Sequence, residues 1–198
     1  MSADAFAIAP MQPYQHAWLA AVDAYARAWP QEGPAIALFR SFMAAHPDAA
    51  SRERAEGHLT GSAWLVSADG ERVLLTHHRK LDRWLQLGGH ADGDADLANV
   101  ALREAEEESG LTGLSVEAEI FDLDRHEIPA RGDVPAHWHY DVRYVVSAGG
   151  SEDFSISEES HALAWRRIAD LAADAATDDS MRRMAHKWIA RRARKSDG

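Results

Sequence analysis

GHADGDADLANVALREAEEESGL, residues 89–111, places carboxylates where a core-facing helix should be apolar. On a helix turning every ~3.6 residues, Leu97, Val100, Ala101, Glu104, Glu107, Glu108 and Leu111 fall on one stripe. The apolar members suit an inward face. Glu104, Glu107 and Glu108 interrupt it at i, i+3 and i+4. Like charges at such spacings each cost about 0.2–0.5 kcal/mol even on an exposed helix, and partial burial adds a desolvation cost. Arg103 can take one carboxylate, which leaves an acidic surplus, and hard divalent cations prefer oxygen ligands of this kind. The acidic stripe therefore reads as a metal site. A rival opening, Asp92-Gly93-Asp94-Ala95-Asp96, looks like the start of an EF-hand calcium loop. It fails because Leu97 stands where that loop needs glycine and Arg103 where it needs glutamate.

The same stretch closely resembles the Nudix box of the Nudix hydrolases: Gly, five residues, Glu, seven residues, then Arg-Glu-aliphatic-x-Glu-Glu-x-Gly-aliphatic. Gly89, Arg103, Glu104, Ala105, Glu107, Glu108, Gly110 and Leu111 match in register. The pattern's first Glu is Ala95 here, and either Asp94 or Asp96 can stand in for it. The resemblance covers about 57–172 and implies an α/β fold, a Nudix-like α/β/α sandwich around a mixed sheet. Residues 57–198 would form that domain with its closing C-terminal helix, and 1–56 a helical N-terminal extension. These helices either cap the sheet or provide a homodimer interface or a lid.

By resemblance, Glu104, Glu107 and Glu108 would hold Mg2+ or Mn2+, joined by a backbone carbonyl at Gly88 or Gly89. Glu104 is also a candidate for the base that prepares water. Arg103 would orient a glutamate through a charge-assisted pair. The family often adds an acidic ligand from a loop near the end of the sheet, and Glu159 within 156–160 fits that place unless it is simply solvated. The implied activity is a pyrophosphohydrolase cleaving the diphosphate linkage of a nucleoside diphosphate joined to another group. The alternative is a non-catalytic nucleotide-binding regulator. Isoprenoid diphosphate isomerase chemistry on such a fold normally uses a cysteine, and this chain has none.

Composition agrees with that reading. At 198 residues and 46% hydrophobic, the chain can bury a real core. With no cysteine, disulfides and thiolate zinc sites are excluded. A formal charge of −11 repels phosphate-bearing substrates, so a polyphosphate needs local cations. The segment MSADAFAIAPMQP lacks the basic and long apolar runs of a secretory signal, and no stretch reaches membrane-spanning length. A soluble cytoplasmic protein is the expectation. The basic segment 180–195 lacks aromatic interleaving, which argues for a solvated helix rather than a nucleic-acid surface.

Working outward, helical periodicity covers about 14–29 and 34–45, with a third short helix over 48–56. Strands are expected at 59–67 and 72–78 around an Asp69-Gly70 turn, then at 83–89, 115–127, 137–147 and 163–171, before a closing helix at 178–194. In the run 137–144, alternation puts His137, His139, Asp141 and Arg143 on one face and Trp138, Tyr140, Val142 and Tyr144 on the other, core face. The polar face either lines a substrate cleft, with Arg143 suited to phosphate, or is plainly exposed. A zinc site from His137 and His139 with His126 or Asp141 is a third reading. His90, directly after the paired glycines, is the further substrate-facing candidate.

Overall fold

The computed structural model describes residues 10–79, 82–155 and 160–196. Pro13 opens α1 (Pro13–Ala28), where Gln12 and Gln15 form a reciprocal cap. A 3-10 turn at Pro30–Glu32 leads into α2 (Gly33–Ala45). Trp18, Val22 and Tyr25 on α1, and Ile36, Phe39, Phe42 and Met43 on α2, are buried. The ring of Phe42 stacks on Tyr140 with centroids 3.8 Å apart.

No helix forms over 48–56, contrary to the periodicity. That segment is a series of turns. The carbonyls of Ala49 and Ala50 accept hydrogen bonds from the backbone N–H groups of Leu59 and Gly93, so they are not available to a helical ladder.

The open, mixed sheet contains β1 (Gly57–Val66), β2 (Arg72–His78), β3 (Arg83–Leu85), β4 (Leu87–His90), β5 (Ser115–Ile128), β6 (His137–Ser147) and β7 (Ser160–Arg167). Its order is β3-β2-β1-β6-β5, with β4 added to β1 and β7 to β2. β1 and β6 run parallel in register from Gly57↔Trp138 to Val66↔Ser147, and the other pairs are antiparallel. The Asp-Gly turn joins β1 to β2 as expected, with Gly70 at φ +69°. The expected strand 83–89 is divided: β3 joins β2, β4 joins β1, and Gln86 at the break donates to Asp141 at 3.0 Å. Beyond β7 the chain turns into the short α4 (Ile168–Ala173) and then α5 (Asp179–Ser196).

The acidic segment forms α3 (Leu97–Ser109), capped by Asp96, which accepts from the Asn99 N–H at 3.1 Å, and ended by Gly110 at φ +69°. α1, α2 and α3 share one apolar layer with Leu59, Ala63, Tyr140, Val142 and Tyr144. On the other face, Met181, Met184 and Trp188 of α5 pack on Trp64, Val73 and Val145. These layers make the expected α/β/α sandwich. No described helix is long and apolar enough to cross a membrane.

A buried ion network closes the edge of the sheet. Asp122, fully buried on β5, accepts from Arg143 at 3.1 Å, Arg183 at 2.7 Å and Lys187 at 2.6 Å. Lys187 also reaches Glu32 at 2.7 Å and the Tyr25 hydroxyl at 2.5 Å, which ties α5 to the N-terminal helices. Burial alone would raise the pKa of Asp122, but the Arg183 hydrogen bonds and the charges of Arg143 and Lys187 outweigh it and hold the group below its ordinary 3.8. Asp124 is likewise held low: burial opposes it, and His126, Arg143 and Arg183 prevail.

Because removing one partner strands the remaining buried charges, Asp122→Asn should cost about 3–5 kcal/mol in denaturant unfolding at neutral pH. Groups whose folded pKa is depressed stabilise the protein above the unfolded value and lose that contribution as the pH falls through the folded one. The gap between wild type and variant should therefore be widest above about pH 4 and shrink in stronger acid, which urea titrations across pH would measure.

Candidate active site

Gly88 and Gly89 on β4 form the floor under the acidic helix. A Cβ on Gly89 would lie 2.5 Å from the Glu104 carboxyl carbon, and one on Gly88 would lie 2.7 Å from the Ser62 Cα and Cβ. Gly88 must be glycine because a Cβ there would meet the Ser62 backbone, while a Cβ at Gly89 would displace the Glu104 carboxylate from its place. Glu108, 9% exposed, accepts the Gly88 N–H at 2.8 Å. The Glu104 side chain is 18% exposed and lies 3.1 Å from Arg103, whose guanidinium also approaches Glu107 at 4.0 Å and donates to the His90 carbonyl at 3.3 Å. The Glu107 side chain is 65% exposed. One helix thus gathers three carboxylates with graded access to solvent beside the backbone of Gly88 and Gly89. These are hard oxygen donors, and the side-chain-free cradle at Gly89 suits a small divalent cation. Glu159 lies outside the described residues.

Ala95 explains its own departure from the pattern. It packs against the apolar core, where a carboxylate would be costly to bury, and its carbonyl accepts from Trp18 Nε1 at 2.8 Å. Of the two neighbouring aspartates, Asp96 is committed to the helix cap, while Asp94 comes within 3.9 Å of Arg103.

The polar face of β6 needs correction. His137, His139, Asp141 and Arg143 do share a face, but it points away from α3, toward the α5 layer. Arg143 is only 2% exposed and is bound by Asp141 at 2.7 Å, Asp122 and Asp124. Asp141, 1% exposed, accepts from Thr60, Ser62, Gln86 and Arg143. Neither side chain lines a cleft, so the substrate-binding reading of Arg143 and Asp141 gives way to a structural one.

The histidines form a separate group at one end of that face. His139 meets His58, His90, His126 and His137 with ring centroids 4.8–5.5 Å apart. Burial, followed by the neighbouring histidines, pushes His58 down to about 4 and His139 to about 2. Sequence reading missed His58, because its proximity to His139 depends on parallel pairing between distant strands. A cleft lined by Leu75, Arg83, Trp84, Arg166, Leu171 and Met181 opens on the α5 side, and none of its lining residues belongs to α3 or β4.

The family model of the NUDIX domain matches residues 58–188. Among solved structures, the Ap4A hydrolase of C. elegans in a binary complex aligns with a TM-score of 0.54 and 20% identity, covering 68% of this chain and 97% of that one. The MutT protein from Methanosarcina mazei Go1 gives 0.54 at 18% identity, covering 70% and 97%. The E. coli dihydroneopterin triphosphate pyrophosphohydrolase gives 0.53 at 17%, covering 67% and 95%. At these identities the likeness is one of fold. No curated protein sequence matches the chain.

Three substitutions test the assignment of roles. Arg143→Ala should destabilise the protein by about 3–5 kcal/mol, since it strands buried carboxylates, while leaving KM unchanged in whatever folds. Asp96→Ala should cost about 0.5–2 kcal/mol of stability with little change in turnover, whereas Asp94→Ala should lower turnover at nearly constant stability. Thermal melts paired with steady-state kinetics separate these outcomes.

Proposed function

The chain belongs to the Nudix family and is a hydrolase of phosphoanhydride bonds, and from that premise we propose that it cleaves the diphosphate linkage of a nucleoside diphosphate joined to another group. The observation that carries the reading is the gathering of Glu104, Glu107 and Glu108 beside Gly88 and Gly89, with Glu108 anchored by the Gly88 N–H. Glu104, Glu107, Glu108 and the Gly89 carbonyl would hold Mg2+ or Mn2+. The bound ion supplies neutralisation of phosphate charge and a lowered pKa for the attacking water.

The chain's own residues do the rest. Arg103 holds one Glu104 oxygen at 3.1 Å, fixing the direction in which the other can accept a proton from water. Glu108, held by the backbone, keeps the helix in register with β4. Glu107 faces solvent, where a polyphosphate arrives. In a chain of net charge −11, local cations are what let an anionic substrate approach. The substrate class draws further support from two fold relatives, named for hydrolysis of Ap4A and for dihydroneopterin triphosphate pyrophosphohydrolysis.

A panel of nucleoside diphosphate derivatives, assayed with and without magnesium or manganese, tests the reading. Metal-dependent release of a nucleoside monophosphate is the expected result. Glu104→Gln, Glu107→Gln and Glu108→Gln should each lower turnover by roughly a hundredfold or more. Without metal, Glu107→Gln should be neutral or slightly stabilising, because it relieves like-charge repulsion. Wild-type turnover in these variants would overturn the assignment of the ligands, and binding without turnover across the panel would favour a nucleotide-binding regulator instead.

A further inference from the structure

On the sheet face turned away from α3, neighbouring strands bring histidines together: His90 on β4, His58 on β1 and His139 on β6. His58 and His139 are direct partners in the parallel register. His90 lies opposite Thr60, two residues along the same face of β1 from His58. One ring nitrogen from each of the three lies within 4.8 Å of the others. His58 is 3% exposed; the Arg54 backbone approaches its ring, but neither ring nitrogen completes a hydrogen bond of good geometry among the described residues. The buried Nε2 of His139 is in the same condition. An unsatisfied buried polar group costs about 1–3 kcal/mol, so poorly paired imidazole nitrogens gathered at one place favour a ligand.

We propose that His58, His90 and His139 bind a divalent transition ion of the zinc class, at a site distinct from the glutamates of α3. Imidazole nitrogens suit zinc and its neighbours, whereas magnesium takes oxygen ligands. Burial keeps His58 and His139 neutral, which is the ligating state. Tetrahedral zinc with bonds of about 2.0–2.1 Å sets its ligand atoms about 3.4 Å apart, so small ring rotations close the site. Three imidazoles leave one position for water or for His137, whose Nδ1 donates to the Pro135 carbonyl at 3.0 Å and so presents Nε2 as the basic nitrogen.

The site's position gives it a structural consequence. β4 pairs in the sheet with β1, and it carries both His90 and the glycine floor of α3. An ion shared by His58, His90 and His139 ties β4 to β1 and β6 from the opposite face.

Metal-stripped protein titrated with zinc chloride in the presence of millimolar magnesium tests the proposal, read by calorimetry, by melting temperature and by the visible absorption of a cobalt substitute. A single zinc ion should bind despite the magnesium, raise the melting temperature, and give the intense cobalt bands of tetrahedral coordination. His90→Gln and His139→Gln are chosen over His58, which is buried, and should weaken zinc binding by at least about tenfold while circular dichroism shows the fold kept. Glu104→Gln and Glu108→Gln should leave zinc affinity unchanged. Competition by magnesium, loss of zinc in either glutamate variant, or unchanged affinity in both folded histidine variants would overturn the proposal.

Discussion

The acidic helix can lie on the sheet only because the strands beneath it lack side chains at the points of contact. A Cβ on Gly61 would come within 2.8 Å of the Leu97 carbonyl oxygen and of Val100 Cγ1, and one on Gly89 would run into the Glu104 carboxylate. This close approach lets the Gly88 N–H satisfy Glu108, which in turn makes its burial affordable. Given the floor, the other carboxylate positions follow from helical geometry alone. Glu104 faces β4, and Glu107 is left at the rim.

Local chemistry made that half of the molecule legible. Asp96 and Gly110 bracket the helix in sequence as they do in space, and Asp69-Gly70 marks its hairpin because a positive φ is needed there. The β6 alternation was equally readable, since His137, His139, Asp141 and Arg143 do share a side. What covers that side was not readable. Asp122, Arg183 and Lys187 arrive from β5 and α5; of the three carboxylates around Arg143, Asp141 is readable two residues away on the same face, whereas Asp122 and Asp124 come from a separate strand. The same applies to His58 and to the break at Gln86, each defined by pairing between distant strands. Over 48–56, helical periodicity lost to tertiary hydrogen bonds at Ala49 and Ala50.

The sheet therefore separates two chemistries that the sequence interleaves. Gly89 and His90 are adjacent in the chain, yet one faces oxygen donors under α3 and the other faces imidazoles. Alternation along a strand makes such division inexpensive, because neighbouring residues are delivered to environments of opposite character. On the imidazole side, burial and then the neighbouring histidines push the pKa values of His58 and His139 down. On the carboxylate side, Arg103 and the backbone hold the anions in place.

The contact between Lys187 and Tyr25 spans 162 residues. On the ribosome, Tyr25 and Glu32 emerge long before the cation that completes their surroundings. At about 5–20 residues per second, the interval is on the order of ten to thirty seconds. Throughout it, α1 and α2 have an apolar face to dock but an unfilled ionic socket, and Asp122 lacks both Arg183 and Lys187. A helix made late thus closes one made early, and the ionic socket at the sheet edge stays open until synthesis reaches α5.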